Sequence, residues 1–213
     1  MSLTLYLLRH GQTEASKGHL FCGAHSEVQL TTDGIAMAEA FAAAYRDVPW
    51  AGVYCSPQRR ARLTAAPLCA AAGIEPRICD ELREIDYGAW EGLSTEETDR
   101  LFHDEYVAWG ADPAWNPPTG GETAMALAAR VSHLVETIKQ EHANGDVLLV
   151  SHKATIRVLL CSLLGIDVGR FRSRLDYPTG SVSVVEFAAH GPLLRVFADR
   201  SHLGVRLREL PGT

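Results

Sequence analysis

Short apolar runs alternate with helix-length segments along this chain, and that rhythm predicts its architecture. Leu3 to Leu8 (LTLYLL), Val53 to Cys55 (VYC), Arg77 to Cys79 (RIC) and Val147 to Val150 (VLLV) read as buried strands. Between them lie segments with helix punctuation. Thr31 or Thr32 can cap GIAMAEAFAAAY, with Asp33 near its positive end. Ser56-Pro57 starts QRRARLTAAPLCAAA, Pro67 should kink or shorten it, and Gly73 ends it. From Ser94 the pattern departs from this rhythm: one helix (STEETDRLFHDEYVAW) is expected, then a stiff loop from Asp112-Pro113 to Pro117-Pro118. After Gly120-Gly121 a helix should run to about His142. Gly145-Asp146 then turns into VLLVSH, and a further helix from about Ala154 to Leu164 stops at Gly165. The chain finishes with SVSVVEF and LLRVFA around a turn at His190-Gly191. The expected fold class is α/β, three layers, with a mostly parallel sheet flanked by helices. Residues 1–213 are expected to form a single domain with a cap-like insertion at about 90–120.

Composition narrows the class. Apolar residues make up 46% and charged ones 22%, ordinary for a water-soluble globular protein. The formal net charge of -6 argues against a nucleic-acid partner or an acidic membrane surface, which call for a basic face. With no charged-then-apolar leader and no run of membrane-spanning length, a cytoplasmic location is expected. The five cysteines are scattered without a CxxC pair and read as free thiols, not as zinc ligands or a disulfide frame.

Candidate chemistry sits just past the strands. Arg9 and His10 follow the first run, Arg60 the second, Glu84 the third and His152 the fourth. In an open α/β sheet ligands bind beyond the carboxyl ends of the strands, so these groups would converge. A neutral imidazole with one nitrogen held as a donor is a good nucleophile toward phosphorus, which suits His10. Arg9 and Arg60 could grip phosphoryl oxygens, with His152 a third candidate for that clamp. Glu84, if desolvated, could protonate a leaving alkoxide and later activate water. Each residue taken singly has a plainer reading: a satisfied histidine, a solvated basic helix face around Arg59, Arg60 and Arg62, a surface acid. Their joint placement favours a site. A metallohydrolase using His10, His152 and Asp86 is a further alternative, although no compact ligand motif such as HExxH is present.

These residues carry a family resemblance. Leu8-Arg9-His10-Gly11-Gln12-Thr13 resembles the RHG signature of the histidine phosphatase superfamily, the phosphoglycerate mutase-like family. Ser56 to Thr64 is similar to its second signature, LREIDYGAWEG to its acid segment and VSHKATIR to the segment of its second histidine. Pro117 to Thr123 and Ser181-Val182-Ser183 also fit. The resemblance implies a phosphoglycerate mutase-like fold and a phosphomonoesterase with His10 as nucleophile, Glu84 as proton donor, and Arg9, Arg60 and His152 around the phosphate. It implies no metal, no cofactor and a small-molecule phosphate ester as partner.

Three positions depart from the family pattern. Ser16 stands where asparagine is common, Cys22-Gly23 where Gln-Gly or Thr-Gly is usual, and Lys153 where glycine typically follows the second histidine. Ser16, Cys22, Gly23 and Lys153 therefore join the candidate substrate-binding residues. Lys153 reads equally as a surface charge on a helix's first turn or as a substrate contact. Phe21, Tyr106, Trp109 and Trp115 are candidate lining groups. Cofactor-dependent phosphoglycerate mutases of the same family usually carry a longer insertion between acid and second histidine, so the interval here favours water as acceptor. A phosphate-binding module without catalysis is the remaining alternative.

Overall fold

The structure is a computed structural model and describes residues 2–211. Six strands form one sheet in the order β3-β2-β4-β1-β5-β6. They are β1 (Leu3–Arg9), β2 (Trp50–Cys55), β3 (Arg77–Ile78), β4 (Gly145–Ser151), β5 (Val182–Ala188) and β6 (Gly191–Asp199). β1, β2, β3 and β4 run parallel, while β5 opposes β1 and pairs with β6 as a closing hairpin. The helices are α1 (Glu14–Lys17), α2 (Thr32–Tyr45), α3 (Arg59–Ala72), α4 (Thr95–Leu101), α5 (His103–Ala111), α6 (Ala124–Glu141), α7 (Lys153–Leu164), α8 (Phe171–Arg174) and α9 (Val205–Arg208). No helix among the described residues is long and apolar enough to cross a membrane.

Strand alternation makes the three layers. Along β1, Leu3, Leu5 and Leu7 face the core under α6 and α7, whereas Leu8 faces the core under α2 and α3. β4 divides the same way, with Val147 and Leu149 on the first side and Leu148 and Val150 on the second. Both faces of the central strands are covered, which is why they read as continuous apolar runs. Burying one such side chain contributes roughly 1.5–3 kcal/mol. An exposed pair such as Lys139–Glu136 contributes only ~0–1 kcal/mol, so the two apolar layers set the fold.

Three local expectations need correction. Arg77 to Cys79 is not a buried strand: β3 is a two-residue edge strand whose side chains are exposed, and only Cys79 turns inward. The α3 helix is not shortened at Pro67. The carbonyl that proline deprives of a partner belongs to Leu63, on the exposed face where water can take it. The helix expected after Ser94 is two helices, broken at Phe102 where φ is -135°. This segment joins the body through rings: Trp109 lies 5.3 Å from Trp90 and 5.6 Å from Phe21 between centroids. Trp115 points away, 68% exposed.

Candidate active site

Two close backbone approaches shape the end of β1. A Cβ on Gly11 would collide with the backbone of Gly34, and one on Gly34 with that of Gln12, so α2 can begin directly against the RHG turn only because both positions are glycine. The Gly11 amide donates to Thr64 Oγ1 at 3.0 Å, tying the same turn to α3. The His10 amide donates to the Ser151 carbonyl at 3.0 Å, which fixes it to the end of β4.

His10 is buried, and its Nδ1 lies 2.8 Å from the Gly11 carbonyl. A carbonyl only accepts, so Nδ1 must carry the proton and donate, leaving the lone pair on Nε2. Burial, then the positive charges of Arg60 and Arg9, hold its pKa well below the ordinary histidine value; the Gly11 contact works weakly the other way. The ring is therefore neutral in the ligand-free protein. Nitrogen-15 NMR of that protein should show no protonation step for His10 near ~6.5. A step there would mean that the ring is solvated and the pocket wetter than this geometry allows.

Arg9 and Arg60 are both buried. Arg9 donates through Nη1 to the Tyr177 carbonyl at 2.6 Å. Burial pushes its pKa down to about 10, which still leaves it charged at neutral pH. Arg60 donates through Nη1 to the Ser26 carbonyl at 2.7 Å and through Nη2 to Gly23 at 3.2 Å and Cys22 at 3.3 Å. Its Nε donates to His152 Nδ1 at 3.1 Å. With that nitrogen accepting, His152 carries its proton on Nε2 and donates to Ser56 Oγ at 2.8 Å. The two histidine rings are 5.2 Å apart between centroids. Both His152 nitrogens are thus committed, and it braces Arg60 from behind; joining a phosphate clamp would require one contact to be exchanged.

Glu84 accepts four hydrogen bonds, three on Oε1 and one on Oε2. Its carboxylate receives the Ala154 amide at 3.1 Å, the Thr155 amide and hydroxyl each at 3.1 Å, and the Ile85 amide at 3.0 Å. Two of these donors open α7, where the helix dipole favours an anion. Its backbone is held as firmly. Gln58 accepts the Glu84 amide at 2.9 Å while donating to the Gly23 carbonyl at 2.8 Å. Arg130 donates to the carbonyls of Glu81, Arg83 and Glu84, and its own guanidinium is gripped by Glu122 at 2.8 and 2.9 Å. Glu122, from the PPTGGET segment, thereby acts on the Glu84 backbone through Arg130.

His10, Arg9, Arg60 and Glu84 meet at one cleft of about 210 Å³, as the sequence predicts. Ser16, Cys22 and Lys153 also line it, whereas Gly23 and His152 lie behind its wall. The Ser16 hydroxyl donates to the Thr13 carbonyl at 2.9 Å and accepts the Thr13 amide at 3.0 Å, so it serves a helix cap. Burial pushes the Cys22 thiol pKa up, which keeps it a neutral wall group. Asp86 pairs with His25 at 3.0 Å. Sequence reasoning missed Tyr87, Arg157 and Arg172, which line the cleft too. Arg157 had a signal, since it stands one helical turn beyond Lys153 and so shares its face.

This geometry agrees with a family model, the histidine phosphatase superfamily (branch 1), that matches residues 5–200. The chain belongs to that superfamily. It is a phosphatase of that kind, as its named relatives are. It is 30% identical to phosphoserine phosphatase 1 of Hydrogenobacter thermophilus, over 71% of this chain and 72% of the relative. It is 32% identical to an adenosylcobalamin/alpha-ribazole phosphatase of Salmonella typhimurium, over 76% of this chain and 80% of the relative. The solved mycobacterial glucosyl-3-phosphoglycerate phosphatase superposes with a TM-score of 0.85 at 26% identity, covering 94% of this chain and 100% of that one. The sheet of this histidine phosphatase brings Arg9, His10, Arg60 and Glu84 together at one cleft.

Proposed function

We propose that this protein hydrolyses a small phosphorylated metabolite through a phosphohistidine on His10. The observation that carries the reading is the Gly11 carbonyl contact, which holds the imidazole in the tautomer with Nε2 as nucleophile beside two buried arginines. In the first step Nε2 attacks phosphorus, the bond from phosphorus to the ester oxygen breaks, and the departing alkoxide takes a proton from Glu84. Arg9 and Arg60 balance the charge that spreads over the phosphoryl oxygens. In the second step water attacks the phosphohistidine, Glu84 takes its proton, the phosphorus–nitrogen bond breaks and inorganic phosphate leaves. Glu84 enters the first step protonated on Oε2, which accepts only the Ala154 amide, and the second step restores that proton. Residues 90–120 serve as a cap in this reading, and no metal or cofactor takes part. The test is turnover of 4-nitrophenyl phosphate. Robust hydrolysis unaffected by chelator is expected, loss on chelation would favour the metallohydrolase, and complete inertness would favour a phosphate-binding module.

Water is proposed as the acceptor in preference to a second hydroxyl. A mutase must keep its phosphoenzyme dry while the monophosphate reorients, and a cap of two short helices and a loop offers little cover for that. With 3-phosphoglycerate and its bisphosphate, phosphate release should outrun isomerisation. Faster isomerisation would reverse the assignment.

A further inference from the structure

The cleft holds more positive charge than one phosphate monoester uses. Five cationic side chains line it, Arg9, Arg60, Lys153, Arg157 and Arg172, against the single carboxylate of Glu84, in a chain whose net charge is -6. A phosphoryl dianion at His10 is matched by Arg9 and Arg60. The other three cations form a separate group. Lys153 and Arg157 share one face of α7, and Arg172 comes from α8. Arg172 lies over Trp109, its guanidinium carbon 3.9 Å from the ring centroid, which fixes the cation without neutralising it. Arg157 donates to two carbonyls, Phe171 at 3.0 Å and Arg172, so its charge is oriented and also unneutralised.

Among the described residues none of these three cations forms an ion pair. The acids that Lys153 senses are Asp176 and Glu84, at a distance, while Arg9 and Arg157 repel it. Burial and that repulsion bring its pKa down to about 8. Crowded cations without a contacting carboxylate raise the free energy of the empty pocket, and an incoming anion relieves it.

We infer that Lys153, Arg157 and Arg172, the last held over Trp109, form a second anion subsite, and that the substrate is a compact phosphate monoester bearing a further anionic group, a carboxylate or a second phosphate. The inference rests on the phosphatase reading and names the substrate class of that same cleft. Size supports a compact substrate, because about 210 Å³ lies below the ~300–1,000 Å³ usual for drug-sized ligands.

A matched pair of esters tests it. 3-Phosphoglycerate and glycerol 3-phosphate share a three-carbon skeleton and differ in carrying a carboxylate or a neutral hydroxymethyl group. The wild type should favour the carboxylate by about tenfold or more in kcat/KM, as expected of a partly desolvated charge contact. Lys153→Met and Arg172→Met, which keep the apolar stems, should each reduce that ratio several-fold. 2,3-Bisphosphoglycerate beside the same pair distinguishes a phosphate-selective subsite from a carboxylate-selective one. A ratio near one in the wild type, or a ratio unmoved in both variants, overturns the subsite. Calorimetric binding of the same pair to His10→Ala, which is not expected to turn over, separates the two failures. Preferential carboxylate binding by a protein whose wild type hydrolyses nothing would keep the subsite and reject the phosphatase. Turnover by the wild type with equal affinities would do the reverse.

Discussion

Replacing His10 by alanine should abolish hydrolysis, lowering kcat by on the order of 10³-fold or more, the scale seen when a covalent nucleophile is removed. The reason lies in the immediate surroundings of the ring. Nδ1 is pinned by the Gly11 carbonyl at 2.8 Å, and the nearby histidine, His152, has both nitrogens engaged with Arg60 and Ser56. His152 is therefore not free to take over. Rapid quenching of the wild type with a phosphate-labelled ester should trap a label that survives alkali and is lost in acid, the behaviour of a phosphohistidine, and His10→Ala should trap none. Substantial turnover in that variant would reject covalent catalysis on this residue. A variant that has lost turnover but still binds inorganic phosphate would confine the loss to the chemical step.

Much of this site is legible in the sequence, for a physical reason. Residues that follow a buried strand are delivered to one edge of the sheet by the backbone alone, so Arg9 and His10 needed only strand recognition and the parallel order, whereas Glu84 follows the exposed edge strand β3 and reaches that edge through the parallel pairing of β3 with β2. Arg60 among its neighbours is a harder case. Arg59, Arg60 and Arg62 sit on one helix, yet Arg60 is 1% exposed while the other two face solvent. Only the resemblance singled it out beforehand. What holds these groups was invisible. Gln58 joins the acid to the Cys22-Gly23 loop, and Glu122 acts on Glu84 through Arg130, each across long stretches of chain. Such hydrogen bonds leave no periodic trace. Arg172 stayed hidden because it precedes no strand and belongs to a four-residue helix, so neither strand ends nor amphipathicity could flag it. The break at Phe102 was missed because the sequence there contains neither proline nor glycine.

Glu84→Gln should slow the enzyme according to how poor the leaving group is. An alkyl alkoxide cannot depart without a proton, whereas 4-nitrophenolate can, so alkyl esters should lose ~10²–10⁴-fold and the aryl ester far less. The amide is nearly isosteric, but its nitrogen cannot accept. At least one of the contacts from the Ala154 amide, the Thr155 amide and hydroxyl, and the Ile85 amide must therefore be lost. A structural effect of that loss would act on every substrate alike, since it would loosen the start of α7 whatever ester is bound. The slope of log kcat against leaving-group pKa separates the two. A steeper slope in Glu84→Gln than in the wild type assigns the proton to Glu84. Parallel slopes with a uniform drop would make the residue a support for α7 and leave the proton donor to be sought elsewhere in the cleft. At the second step the same variant should accumulate phosphohistidine even from the aryl ester, because the water that clears it would have lost its base.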